Sequence, residues 1–240
     1  MKFFRCYATP RSGHMSIMCW LSHQHSAVTQ TMPIKFGCKR KGLGAKRAIL
    51  PTFLNAPNYQ VVVFPNVSKR DKPNITQYLD VDRLILGYEN GATPRTIPYN
   101  FDIPYINILI LRDIFNTAAS IKKFRIWQKR YPQPHEYPKH IMENWLLSAK
   151  AVQNKEGYFI NYNLYNHNKD YRQQLARDLG LFFTDIGIDE VLSPGSSFTA
   201  MNKPDRANLN RRYKMVDIGP LEELYPEHVE LSNQIFGEME

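Results

Sequence analysis

Residues 9–16 read TPRSGHMS, a combination suited to holding a phosphate. The Arg11 guanidinium offers charge and donors to an anion, Ser16 a hydroxyl, and Gly13 a backbone that can approach closely. The amides of Ser12, Gly13, His14, Met15 and Ser16 complete the set if a helix begins there, because first-turn N–H groups have no intrahelical partner and lie at the positive end of the dipole. His14 could take anion oxygens, assist a leaving phosphate, or only pack. A second constellation follows later: Arg112 ends an apolar run, and Ser120 lies eight positions on, again a guanidinium and a hydroxyl for an anion. Glu89 ends a third apolar segment. It can accept a hydroxyl proton, although a carboxylate of ordinary pKa about 4.3 is a weak base for an alcohol unless burial raises it. Its other reading is a solvent-exposed strand-end carboxylate, or one paired with a nearby Arg such as Arg95. Arg211 and Arg212 supply two more cations that could close on a bound anion, or mark a basic loop-to-helix boundary.

These residues need elements to position them. Residues 2–8 read as an extended segment, and Ile17, Met18, Leu21 and His25 then fall on one side at helical spacing, giving strand, tight turn and helix. Residues 108–111, ILIL, read as a strand buried on both faces. Residues 114–129 carry Ala118, Ile121, Phe124 and Trp127 near helical spacing, a second strand-turn-helix unit. In parallel sheets ligands bind at the carboxyl edge of the strands, where Arg112 falls. Other expected strands are residues 59–64, after a Pro- and Asn-rich loop, 83–91, ending in a polar turn, and 158–162. Residues 66–80 read as irregular, and YPQPHEYP at 131–138 as a proline-broken loop. Helices are expected near 140–154, with Trp145 as a core residue, at 171–179, and at 221–236 with an interruption at Pro226 and a cap at Gly237.

The PRSG turn followed by strand, Arg, Asp and a Ser eight positions after the Arg resembles the sulfotransferase family, whose donor is 3′-phosphoadenosine 5′-phosphosulfate (PAPS). The resemblance implies that residues 11–16 hold the 5′-phosphosulfate and that Arg112 and Ser120 hold the 3′-phosphate. The family's base, commonly His, comes from the end of the strand before the Arg/Ser strand. Here Tyr88 and Glu89 occupy that place, and other branches do use Glu, so the resemblance gives Glu89 as base with His14 as competitor. NYNL at 161–164 followed by a helix and Gly180-Leu181 resembles the family's "YEDL, helix, LGL" segment, with Asn163 for the usual acid. Ser196-Ser197-Phe198 and Arg211-Arg212-Tyr213 resemble its nucleotide-covering loop. The implied fold is α/β, a three-layer α/β/α domain over residues 1–240 with a central, mainly parallel sheet of four or five strands. The implied reaction is sulfuryl transfer from PAPS to a hydroxyl or amine of a small-molecule, glycan or lipid acceptor, without a metal.

The whole chain bounds these readings. With 240 residues and 43% apolar content it can bury a substantial core in one domain. No run of eighteen apolar residues or signal-type core is present. Three cysteines, Cys6, Cys19 and Cys38, lack metal-ligand spacing and fit a reducing compartment, the cytoplasm. The formal charge of +9 points to anionic ligands, with basic clusters at Lys35 to Arg47 and Lys122 to Arg130 read as solvated surface or as a rim for an acidic acceptor. Two rivals follow. A P-loop kinase-like phosphotransferase would need the second Gly and the Lys of its motif, which this turn lacks. A non-catalytic nucleic-acid or polyanion binder would use the basic clusters, yet no nucleic-acid-binding motif accompanies them.

Overall fold

The computed structural model describes residues 1–24, 52–56, 59–67, 73–88, 93–124, 129–133, 135–186, 188 and 206–238. Its centre is a sheet of six strands: β1 (Lys2–Ala8), β2 (Thr52–Ala56), β3 (Tyr59–Val67), β4 (Arg83–Tyr88), β5 (Ile106–Leu111) and β6 (Tyr158–Asn161). Their order is β2-β3-β4-β1-β5-β6. The five from β3 to β6 are mutually parallel, and β2 is an antiparallel edge beside β3. β4 is buried throughout and β5 over its last four residues, as runs without alternation require when both faces are covered. Strand β2 corrects the expected loop: Pro51 and Pro57 bracket it, but Thr52, Phe53 and Leu54 favour extended structure. Ala56 stands opposite Tyr59, so the two strands are neighbours in sequence as well as in the sheet.

Helices cover both faces. On one, Phe4, Cys6 and Ala8 of β1 pack with Ile17, Trp20 and Leu21 of α1 (His14–His23), with Tyr165 of α4 (Tyr162–His167) and with Leu175 of α5 (Lys169–Asp178). The opposite row of β1 is Phe3, Arg5 and Tyr7. On that face Leu111 packs with Ala118 and Ile121 of α2 (Ile114–Lys123), with Trp145 of α3 (Lys139–Gln153) and, after the short α6 (Leu221–Leu224), with Val229 of α7 (Pro226–Phe236). Buried Arg83 donates to the carbonyls of Leu21 and Gln24, fastening the carboxyl end of α1 with a cation suited to that end of the dipole. The architecture is the three-layer α/β fold. Among the described residues no helix is long and apolar enough to cross a membrane.

Helix α2 is shorter than its apolar spacing predicts. Phe124 takes an extended conformation (φ −79°, ψ 114°) and caps it by donating to the Ile121 carbonyl, while Trp127 lies outside the described residues. Lys122 is not part of a solvated rim, because its Nζ donates to the carbonyls of Gln133 and Glu136 and burial pushes its pKa down. The carboxyl end of β5 is fixed from below: Trp145 Nε1 donates to the Arg112 carbonyl at 2.8 Å, with the Trp145 side chain fully buried. Trp145→Phe should therefore lower unfolding free energy by about 2–4 kcal/mol, a lost bond to a buried carbonyl plus a cavity. A shift of less than 0.5 kcal/mol in urea titration would show that the strand end does not depend on Trp145, on the usual scale for surface changes of about that size.

Candidate functional site

β1 and β5 are adjacent, yet the helices that follow them leave toward opposite faces, α1 to one and α2 to the other. Such a divergence opens a crevice above the carboxyl ends of the two strands. The turn at residues 9–13 forms one wall. Ser12 N donates to the Thr9 carbonyl at 3.2 Å, and the chain takes left-handed conformations at Arg11 (φ 73°) and Gly13 (φ 83°), the latter being the N-cap of α1. Gly13 is needed twice over. A Cβ there would lie 2.1 Å from Cε2 and Cζ of Tyr162, whose ring therefore packs on the turn.

The second wall begins at Arg112. Asp113 caps α2, accepting from Asn116 N at 2.7 Å through Oδ1 and from Asn116 Nδ2 at 2.9 Å through Oδ2. About two turns on from Asp113, Ser120 Oγ accepts a hydrogen bond from Arg11 Nε at 3.1 Å, and the Arg11 guanidinium lies 4.7 Å above the Phe124 ring. The two units are thus in direct contact through residues expected to hold anions. Arg112 is 2% exposed, and its guanidinium lies 5.5 Å from the Tyr162 ring centroid. Burial pushes its pKa down, against the opposing charge of Asp113, so a bound anion beside it would favour its charged form.

A third segment, Arg206–Met215, closes the crevice from the side. Asn116 holds it: Nδ2 donates to the Asn210 carbonyl at 2.9 Å, and Oδ1 accepts from Arg212 N at 2.9 Å. Asn210 Nδ2 reaches the Asn163 carbonyl at 3.0 Å. Arg212 is buried, while Arg211 is exposed at a kink (φ −119°, ψ 15°).

The remaining expected residues divide. His14 is the first residue of α1 and is 4% exposed, and Met15 beside it is half-buried. Ser16 Oγ donates to the Ile188 carbonyl at 3.3 Å, and its own carbonyl accepts from Tyr165 Oη. Glu89, Ser196-Ser197-Phe198 and the basic cluster from Lys35 to Arg47 lie outside the described residues. Sequence reasoning missed Tyr162, Asn116 and Asn210. Asn116 had a signal, an Asp followed three residues later by a polar residue at a helix start; Tyr162 had none, because its contact is with Gly13. Among the described residues no group of three or more His, Cys, Asp or Glu converges as metal ligands would.

No protein-family model and no curated protein matches the chain. Among solved structures, the sulfotransferase domain of the Synechococcus PCC 7002 olefin synthase matches with a TM-score of 0.43 and 13% sequence identity, over 66% of this chain and 60% of that one.

Gly13→Ala should destabilise the protein by more than about 2 kcal/mol, since left-handed φ alone costs roughly 1–2 kcal/mol for a residue with a Cβ. Adding Tyr162→Ala removes the clash and leaves the backbone term. The double variant is therefore expected to lose at least about 1 kcal/mol less than the sum of the singles in urea unfolding. Strict additivity would mean that the Tyr162 ring does not rest on the turn in solution.

Proposed function

We propose that the chain is a sulfotransferase that moves a sulfuryl group from PAPS to an acceptor hydroxyl or amine, leaving adenosine 3′,5′-bisphosphate. The observation that carries this reading is the Arg11–Ser120 hydrogen bond at 3.1 Å. It joins the two constellations expected to hold the two anionic ends of such a donor, in the crevice where α/β sheets bind ligands. The residues present fit a phosphorylated nucleotide: Thr9 Oγ1 and Ser12 Oγ are buried in the turn with no hydrogen-bond partner among the described residues, and such hydroxyls call for a partner that a water, an ion or a ligand oxygen supplies.

In this reading Arg11 and the amides of residues 12–16 stabilise charge growing on the bridging oxygen as the sulfuryl group leaves. Arg112 and Ser120 hold the 3′-phosphate, and Arg211 or Arg212 closes over it. Catalysis rests on in-line positioning and electrostatics. Glu89 takes the acceptor proton, or His14 does if Glu89 is only a strand-end carboxylate. The acceptor is a small molecule, glycan or lipid. The cytoplasm as compartment is supported by the free, buried thiol of Cys6.

Adenosine 3′,5′-bisphosphate should raise the melting temperature more than AMP or ATP, because the missing 3′-phosphate forfeits a charge-assisted pair on the order of 2–3 kcal/mol. Arg112→Met should erase that preference. Equal stabilisation by AMP would overturn the reading of β5 and α2 as the 3′-phosphate site.

Glu89→Gln keeps shape and hydrogen bonding but not basicity, so transfer is expected to fall about 10²–10⁴-fold with donor affinity nearly unchanged. His14→Ala is the paired measurement. If it abolishes the acidic limb of kcat/KM while Glu89→Gln transfers at the wild-type rate, the base is His14.

A further inference from the structure

We infer that Arg5 anchors a second binding site, on the sheet face opposite α1, for a small monocarboxylate with an apolar body. Arg5 lies mid-strand in β1, opposite Leu86 on one side and Asn107 on the other, and is 1% exposed. Its Cζ is 4.6 Å from the ring centroid of Tyr105, 5.5 Å from Tyr7, 5.7 Å from Tyr88 and 5.8 Å from Phe101. Among the described residues no carboxylate pairs with it, and its Nε and Nη2 make no hydrogen bond. Ring faces favour the positive charge but accept no N–H in its plane. A buried cation without a counter-ion is the costly half of a buried pair.

The two idle atoms identify the missing partner. Nε and Nη2 form one edge of the guanidinium, the fork that takes both oxygens of a carboxylate side-on. This protein uses that edge elsewhere: Arg172 Nε donates to Asp185 Oδ1 at 2.8 Å and Nη2 to Oδ2 at 3.2 Å. The phenols around Arg5 do not substitute for it. Tyr7 Oη donates to Asn107 Oδ1, Tyr99 Oη to Tyr88 Oη and Tyr105 Oη to Asn100 Oδ1, and burial pushes the Tyr7 and Tyr88 hydroxyls up, so both stay neutral.

Phe101 supplies the apolar side. It is a wall of the Arg5 cage and also lines an adjoining cavity of about 330 Å³, together with Pro73, Ile75, Leu79 and Ile103. A carboxylate passing Phe101 would meet Arg5 while its hydrocarbon stays in that cavity. Phe101 lies in the irregular stretch between Thr96 and Ile106 and is the ring shared by the cage and the cavity. Asp102, exposed and lining the same cavity, is a competing carboxylate among the described residues. The proposal does not rest on sulfuryl transfer, since Arg5 precedes the phosphate-type turn by about 13 Å of strand.

The test is titration calorimetry of the full chain with hexanoate, hexan-1-ol and acetate, beside melting temperatures. Hexanoate should bind at least tenfold tighter than the alcohol, which has the same body without charge, and tighter than acetate, which has no body. Arg5→Met should cost hexanoate at least tenfold in affinity yet leave the ligand-free melting temperature equal or higher, because an unpaired buried charge has been removed. Arg5→Lys, which keeps charge and loses the fork, should also bind at least tenfold more weakly and covers the case in which the Met variant does not fold. Equal affinity for hexanoate and hexan-1-ol, or no hexanoate binding, would overturn the proposal. So would binding seen only in Asp102→Asn, which would make Asp102 the occupant.

Discussion

Twice within three residues the backbone between β1 and α1 takes a left-handed conformation, at Arg11 and at Gly13. Glycine does so freely; arginine does so at a cost of roughly 1–2 kcal/mol. The strain at Arg11 is offset by its side chain, which is held at Nε by Ser120 and across its plane by Phe124. Both partners belong to the second strand-turn-helix unit. The shape of the first turn thus depends on the second unit, and the early stop of α2 at Phe124 belongs to the same arrangement.

The crevice itself is assembled by one amide. Asn116 meets Asp113, Asn210 and Arg212 at once, so the helix cap, the start of α2 and the covering segment share a hydrogen-bond network. Networks of this kind are cooperative, and the loss of any member leaves the others buried and unsatisfied. Tyr162 plays the corresponding part on the other side, resting on Gly13 and facing Arg112. Neither residue carries charge. Their work is to fix the distance between groups that do.

How far the sequence reveals this depends on range. Strands β4 and β5 were legible because burial on both faces leaves nearly uninterrupted apolar runs, β1 because it is a short extended segment ahead of the turn and helix, and Trp145 because its helix has clear apolar spacing. The contact between Ser120 and Arg11 was not legible, because it joins residues 109 positions apart. Strand β2 was hidden by its prolines, whose local signal is strong although the pairing with β3 prevails. The end of α2 was hidden because Phe124 continues the helical spacing while its ring serves Arg11 instead. Lys122 read as surface, since nothing local announces that carbonyls from residues 133 and 136 will surround its ammonium group. The aromatic cage of Arg5 draws on β1, β4 and the approach to β5, and only the fold brings these together.

The order of the strands also governs how the molecule is made. β1 is synthesised first and becomes central, but Lys2 finds its register with Arg83 and Phe4 with Ile106. Until those residues have left the ribosome, both hydrogen-bonding edges of this buried strand are open. Non-local parallel pairing of this kind is slow, and unpaired apolar strands invite association with other chains. The nascent protein therefore passes through a stage in which its future core is its stickiest exposed segment, and its yield in a cell depends on what shields residues 2–8 during that interval.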